Sequence, residues 1–375
     1  MTGIRWVADG FGGLDDFRAV ACEPAAPGPG QLTVRVTAAG VNPADLKHTL
    51  RASDPALLPL PIGYEIAGVV TAMGPRTRAG SGAVSVGDRV AAFRVHGGYA
   101  SAITIPAEKA FVLADAVPDD QAAGLLLAGC TAAELLSRSG AVSGETVLLH
   151  GASGAVGAVF LQLARRAGVT VVGTAGPGRS DAVARFGGIP VTYGPELARR
   201  VRDAAPGPVV AALDAAGGPE ATAASLELVA DRDRILTVVD REAAREYGFD
   251  ALSGADPASA AFRDGVRGEL LDLLAAGELT VPIARTFPLD RAVEALRLVA
   301  AGHAGGKVVL IPLTHQTVTP RPGRRQSGSI GLSGRCGRPT STPRVTAPFP
   351  NLDRSESMAR SRSPAWSAPS SGNAS

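Results

Sequence analysis

The sequence predicts an α/β protein of two domains. A β-rich domain covers residues 1–125, a doubly wound parallel sheet covers 126–262, and the stretch of about 263–313 returns to the first domain. Three observations carry this reading. Apolar and polar residues alternate with period two in the first third of the chain. At about Asp119 the period becomes helical. From Glu145 short apolar runs and amphipathic stretches alternate at βαβ spacing, and the first run ends in the glycine-rich turn GASGAVG at 151–157.

In the first domain, QLTVRVTAAGV reads as a strand that stops at Asn42-Pro43, a turn signal. EIAGVVTAMG, DRVAAF and YASAITIP are three more strands, and Gly63, Gly68, Gly87, Gly97 and Gly98 punctuate their turns. DDQAAGLLLAGCTAAELLSRSG follows as a helix with two acids at its N-terminus, where the helix dipole favours them. Next come the strand ETVLLHG, the helix after the glycine turn, and the strand VTVVGTA. RSDAVARFGG is a short helix, IPVTY a strand, ELARRVRDAA a helix, PVVAALDAA a strand, ATAASLELV a helix and RILTVV a strand. FRDGVRGELLDLLAAGELT and FPLDRAVEALRLVAAGHAGG carry helical spacing, and KVVLIPL is the last strand, so the folded part ends near Leu313.

The chain has 375 residues, enough for two cores, with 46 Gly and 28 Pro. That composition reads as the bias of a high-GC genome, so a lone glycine carries little weight. Cys22, Cys130 and Cys336 are far apart and match no disulfide framework. The N-terminus lacks the basic and apolar parts of a signal peptide and no apolar run reaches membrane-spanning length, so the expected location is the cytoplasm. From His315 to Ser375 nine arginines face two acids, +7, which leaves −5 of the total +2 for the rest. The body is mildly acidic and suggests no nucleic-acid face. The tail 315–375 is rich in Pro, Ser, Gly, Thr and Arg and cannot offset its own ordering entropy, so it reads as disordered. Two other readings stay open: a basic arm for an acidic partner or nucleic acid, and an extension made by a shifted reading frame.

The phosphate-binding turn is the strongest local signal. Gly151, Gly154 and Gly157 follow a buried strand at three-residue steps and open a helix, with Ala152, Ser153, Ala155 and Val156 between them. Glycine lets the chain turn tightly and approach a pyrophosphate, and the helix N-terminus supplies free N–H groups. The context of strand before, helix and second strand after makes this a nucleotide site. An NAD-preferring site carries an acid at the end of the second strand. Here Thr174, Arg179 and Ser180 stand there, and no acid appears until Asp181. An arginine can clamp a 2′-phosphate with two donors, so the expected cofactor is NADPH.

Several ordered motifs then resemble the medium-chain dehydrogenase/reductase superfamily, and best its zinc-free quinone oxidoreductase and enone reductase branch. They are AGVNPADLK (39–47), PIGYEIAGVV (61–70), VGDRV (86–90), GGYA (97–100), GCTAAELL (129–136), GASGAVG (151–157), FGG (186–188) with VTY (191–193), and HAGGKVVL (303–310). The resemblance covers roughly residues 1–313 and implies a GroES-like β-barrel catalytic domain and a Rossmann-like domain, with the cofactor in the cleft between them. Zinc alcohol dehydrogenases carry Cys and His where this chain has Asn42 and Tyr64, and the structural-zinc lobe is missing, so no metal is expected.

Without zinc a conjugated acceptor is the easier substrate: the hydride reaches the β-carbon of an enone, or a quinone, and donors must meet the charge on the carbonyl oxygen. The resemblance implies that Asn42 lies beside the nicotinamide and substrate, that Thr131 approaches the nicotinamide ribose or carboxamide, and that Tyr193 stands near the adenosine phosphate. Lys47 stands where many bacterial quinone reductases have Tyr. It either stabilises an enolate or donates a proton, or is held by Asp45 as an ion pair. Tyr64 either lines the substrate cleft or packs between barrel and helix. Lys307 either follows a tight turn or reaches the cofactor phosphate or cleft. Cys130 reads as a small buried residue, and His96 and His150 as structural or cleft-lining. The functions left open are a quinone or enone reductase, a trans-acting enoyl reductase of a polyketide-type pathway, and a non-catalytic NADPH-binding sensor. Dimerisation is common in the family, which makes a homodimer an expectation by resemblance alone.

Overall fold

The computed structural model describes residues 3–302 and 304–312. The expectation of a disordered tail lies outside the described residues. The first sheet is organised by the long strand Gln31–Val41. It pairs antiparallel with Glu65–Met73 and Ala102–Pro106, and near its end with Lys307–Ile311, where Val308 faces Val41 and Leu310 faces Ala39. Lys307–Ile311 pairs parallel with Ile283–Pro288, while Glu65–Met73 continues to Arg89–Phe93 and then Ala110–Val112. The last two strands in the chain thus complete a sheet begun by the third. Leu32, Val34 and Val36 are buried on the strand where Arg35 is exposed, and with Ile66, Val70, Val90, Ile103 and Val308 they build this domain's core. The N-terminal hairpin Gly3–Ala8/Phe17–Cys22 joins that core through Trp6, whose indole N–H donates to the carbonyl of Leu289 at 2.7 Å.

One element departs from the β-rich expectation. Beyond the Asn42-Pro43 turn signal the chain forms the helix Pro43–Arg51. Proline is preorganised for the first helical position, and the Asp45 carboxylate turns back to accept the Asn42 N–H at 2.7 Å, half of a capping box.

The second sheet has six parallel strands. In spatial order they are Ile189–Thr192, Thr170–Ala175, Thr146–His150, Val209–Asp214, Ile235–Thr237 and Asp250–Ala251. This is the 3-2-1-4-5-6 order of dinucleotide-binding folds, whose ligands sit outside the carboxyl ends of the strands where the order reverses. The reversal lies between Thr146–His150 and Val209–Asp214. The polar run after Thr237 forms the helix Arg241–Tyr247, capped by Asp240, which accepts the Ala243 N–H at 2.9 Å.

The helix Asp119–Ser139 runs unbroken through the expected border at 125/126 and packs on both domains. Its backbone lies directly on the barrel because small residues allow it: a Cβ on Gly40 would stand 2.2 Å from the Ala123 carbonyl oxygen, and one on Gly124 would stand 2.7 Å from Lys307 Cγ. The Glu65 carboxylate ties this contact together. It is 1% exposed, pairs with the equally buried Lys307 ammonium, and accepts the Asn42 side-chain amide at 2.9 Å and the Leu127 backbone N–H at 2.8 Å. Lys307 also donates to Asn42 Oδ1 at 2.6 Å. The structure therefore corrects the cofactor-facing reading of Lys307: its charge is spent inside the barrel.

Removing one partner of a buried ion pair leaves the other uncompensated. Lys307→Met is expected to lower unfolding stability in urea by about 3–5 kcal/mol. Glu65→Gln in the same chain should restore part of the loss, because residues that share one network are not additive.

Candidate active site in the interdomain cleft

The glycine turn stands where the strand order reverses. Gly151 leaves the strand Thr146–His150 with φ +78°, which favours glycine. A Cβ on Gly157 would stand 2.4 Å from the Gly151 carbonyl oxygen, so only glycine lets the turn fold onto the helix Ala155–Arg166. Gly154, at the N-cap, is less crowded: its Cβ would meet only Gly151 O, at 3.3 Å. Ala152 is buried against Gly173 and donates its N–H to the Thr174 carbonyl at 2.9 Å, while Ser153 is half-buried. Ala155, Val156 and Gly157 are the first three helical residues, whose N–H groups have no acceptor within a helix. This cradle fits a pyrophosphate.

Beneath the turn lies a polar layer. His150 is fully buried, with Nδ1 2.9 Å from Thr174 Oγ1 and Nε2 3.1 Å from Ser225 Oγ. Ser225 gives its own proton to the Ala221 carbonyl at 2.9 Å, so it accepts from His150 Nε2–H, and Nδ1 accepts from Thr174. Burial pushes the imidazole pKa down to about 4, which keeps the ring neutral. Thr174 is itself fully buried and spends its hydroxyl on His150. It is not free to meet a 2′-phosphate, a correction to the expectation. Tyr193 instead accepts the Gly151 N–H on its hydroxyl at 2.8 Å and stacks beside His150. Arg179 stands just before Ser180 at the start of the helix Ser180–Arg185, and its guanidinium lies over Gly305, where a Cβ would be 1.9 Å from Nη1.

A cavity of about 370 Å³ opens between the two domains. The barrel lines it with Lys47, His48 and Arg51 of the helix Pro43–Arg51 and with Tyr64, Phe93 and Arg94. Thr131, Val156, Val238, Val239 and Arg241 line the other side. Of the three predicted catalytic residues, Lys47 and Tyr64 reach the cavity. Asn42 does not: it is 3% exposed and belongs to the Glu65–Lys307 network behind the wall. Lys47 has no ion pair with Asp45, whose Oδ2 accepts from the Tyr99 hydroxyl at 2.8 Å and from Asn42 N–H. Tyr64 is met edge-on by two imidazoles, His48 at 4.3 Å and His96 at 5.5 Å between ring centres. Both imidazoles have lowered pKa values, first from desolvation and then from nearby cations.

Sequence reading missed His48 and Arg51. With Ala44 and Lys47 they fall at i, i+3, i+4 and i+7, one helix face, a signal available once Asn42-Pro43-Ala44-Asp45 is read as a capped start. Cys130 is fully buried with its thiol pKa pushed up to about 12 by desolvation, as a small core residue would be. Among the described residues no three His, Cys, Asp or Glu side chains gather as metal ligands would, and no helix is long and apolar enough to cross a membrane.

Burial raises the Asp45 pKa to about 7 against the hydrogen bonds from Tyr99 and Asn42, and Oδ1 has no partner among the described residues. An unfolded Asp titrates near about 3.9. Between those values the folded protein holds a proton that the unfolded chain has released, so this contribution to stability is full below about 3.9 and is lost as pH rises through about 7. Asp45→Asn keeps an acceptor for both donors and removes the ionisation. Its melting temperature relative to the unaltered chain is expected to rise steadily from pH 4 to pH 8. A difference independent of pH would overturn this assignment.

Two families match the chain. The alcohol dehydrogenase GroES-like domain matches residues 28–118, and the zinc-binding dehydrogenase family matches 190–310. The human synaptic vesicle membrane protein VAT-1 homolog is 30% identical over 342 residues, covering 82% of this chain and 86% of that protein. The phthioceranic/hydroxyphthioceranic acid synthase of Mycobacterium bovis is 31% identical over 364 residues, which is 90% of this chain but 17% of that protein. Among solved structures, Escherichia coli quinone oxidoreductase complexed with NADPH superposes with a TM-score of 0.72 at 25% identity, covering 82% of this chain and all of that one.

Proposed function

The chain belongs to the medium-chain dehydrogenase/reductase superfamily, on its zinc-free quinone oxidoreductase branch, and on that premise we propose that it uses NADPH to reduce a quinone or an α,β-unsaturated carbonyl compound in the interdomain cleft. The observation that carries this reading is one of placement. The glycine turn at the sheet's reversal and the donors Lys47 and Tyr64 meet at a single cavity, to which Val156 of the turn helix also contributes. Bound NADPH would supply the hydride.

The chain's own residues supply the rest. The amides of Ser153, Ala155 and Val156 face the pyrophosphate, with Gly151, Ala152, Gly154 and Gly157 giving the backbone its shape. Arg179 and Ser180 take the 2′-phosphate, and Tyr193 holds the first turn amide in place. Thr131, whose hydroxyl donates to the Leu127 carbonyl at 2.8 Å, presents its face of the cavity to the nicotinamide. Lys47 and Tyr64 donate hydrogen bonds to the carbonyl oxygen as charge develops there. Asn42 acts at one remove. It caps the helix that carries Lys47 and is itself fixed by Glu65 and Lys307. An enoyl thioester of a polyketide-type pathway is the second reading, favoured by the mycobacterial synthase that matches 90% of this chain.

Oxidation of NADPH by the full chain, offered a benzoquinone, a small enone or a simple ketone in parallel, tests the reading. Turnover of quinone or enone unaffected by a chelator is expected, with the ketone inert. NADPH binding without turnover of any acceptor would favour a sensor. Lys47→Met and Tyr64→Phe are each expected to lower kcat by about 10²–10³-fold, the scale of losing one donor to a developing oxyanion. Their Kd for NADPH should stay unchanged. Arg179→Ala should raise the Kd for NADPH by about 10–100-fold and leave that for NADH nearly unchanged, as the loss of one charge-assisted pair to phosphate implies. Equal losses for both nucleotides would remove the 2′-phosphate role.

A further inference from the structure

The charge of the cavity runs against the charge of the molecule. Residues ahead of the tail sum to −5, yet the cavity is lined by Lys47, Arg51, Arg94, Arg241 and Arg263 and by no Asp or Glu among the described residues. Two of these cations are already satisfied: Arg94 faces Asp264 at 3.5 Å, and the buried Arg263 bonds Glu134 at 2.5 Å. Lys47, Arg51 and Arg241 have no acidic partner among the described residues. Elsewhere on the surface arginines commonly find one, as Arg138 does with Asp250 at 2.6 Å and Arg202 with Glu227 at 2.6 Å. Three like charges left unpaired around one half-enclosed space repel one another and raise the local concentration of anions.

The positions of the three separate two tasks. The nucleotide's phosphates are served at the glycine turn and at Arg179. Lys47 and Arg51 instead project from one face of the barrel helix Pro43–Arg51, one turn apart, and Arg241 enters from the first position of the helix Arg241–Tyr247 that follows the fifth parallel strand. With Lys47 engaged at the carbonyl oxygen, Arg51 and Arg241 are left over.

We propose that the substrate is itself an anion: a quinone or unsaturated carbonyl compound bearing a carboxylate or phosphate on a spacer, with that group held between Arg51 and Arg241. This rests on the reductase reading above and names its substrate class. A quinone takes the hydride and a proton from solvent and becomes the hydroquinone; in an unsaturated carbonyl compound the β-carbon receives the hydride and the α-carbon a proton from solvent, and the carbon–carbon double bond becomes single. In both, NADPH is oxidised to NADP+ and the anionic group is unchanged.

The test uses the full chain and a matched set: a vinyl ketone carrying a terminal carboxylate on a saturated spacer, the methyl ester of that compound, and the same spacer ending in a phosphate monoester. The spacer keeps the reactivity of the double bond equal in all three. The carboxylate or the phosphate compound is expected to exceed the ester in kcat/KM by about tenfold or more, the scale of one charge-assisted contact, and which of the two leads identifies the anion. Raised ionic strength should erode that ratio. In the Arg51→Ala/Arg241→Ala double variant the ratio should fall to about one with the Kd for NADPH unmoved. Calorimetric binding of the saturated acid and ester analogues to the NADP+-loaded protein gives a readout that needs no turnover. Preferential acid binding without turnover of any compound would keep the anion seat and sink the reductase reading. Equal binding of acid and ester, or a loss of NADPH affinity in the double variant, would overturn the anion seat and assign the cations elsewhere.

Discussion

The buried carboxylate of Glu65 is the constraint on which the rest of the architecture hangs. It meets groups from three other segments: the end of the strand Gln31–Val41 through Asn42, the helix Asp119–Ser139 through Leu127, and the final strand through Lys307. A charge taken out of water is tolerable only when paired and hydrogen-bonded, so these segments must arrive together. Adjacent residues at the start of a strand point to opposite sides, which divides the labour between Glu65, turned into the network, and Tyr64, which lines the cavity. Asn42 passes the constraint on, because the residue that bonds Glu65 is also the cap of the helix carrying Lys47. Lys47 and Tyr64 are therefore positioned at the cavity by an ion pair that does not itself line it.

The nucleotide side is supported in a different way. There a neutral imidazole, two hydroxyls and a phenol form a polar layer under the turn, bonded to one another and up to Gly151. Desolvation keeps His150 uncharged, so the layer adds no positive charge beneath the helix N-terminus. The amides of the turn and the guanidinium of Arg179 supply the positive side of the local field, against the nearby carboxylates of Asp214 and Glu220.

How much of this could be read from the sequence depended on range. The order of strands and helices from Glu145 to Thr237 was legible because each element announces itself within ten residues, and the glycine turn because its context is local too, whereas the helix Arg241–Tyr247 and the short strands Asp250–Ala251 and Ile283–Pro288 were not. The helix Pro43–Arg51 was hidden by its β-rich surroundings, although its cap and its one-sided spacing are both present in the sequence. Thr174, Asn42 and Lys307 were legible as polar residues in telling places but not in their bonds. Asn42 and Lys307 are 265 residues apart, and no periodicity reports a contact at that distance. In each of these three a buried partner claimed the polar atom that local reading had offered to a ligand.

The unbroken helix Asp119–Ser139 has a mechanical meaning. Two lobes joined by a flexible strap can swing, and such enzymes often assemble their sites by closing. Here one covalent connection is a rod whose middle is bonded to the barrel at Leu127 and whose flank packs on the helix Ala155–Arg166 of the other lobe. Bending it would break its own ladder of backbone bonds and the contact with Glu65. The joint between the lobes therefore resists bending along this helix, and any swing of one lobe against the other has to turn at the ends of the rod, where Gly140 closes the helix in a left-handed conformation.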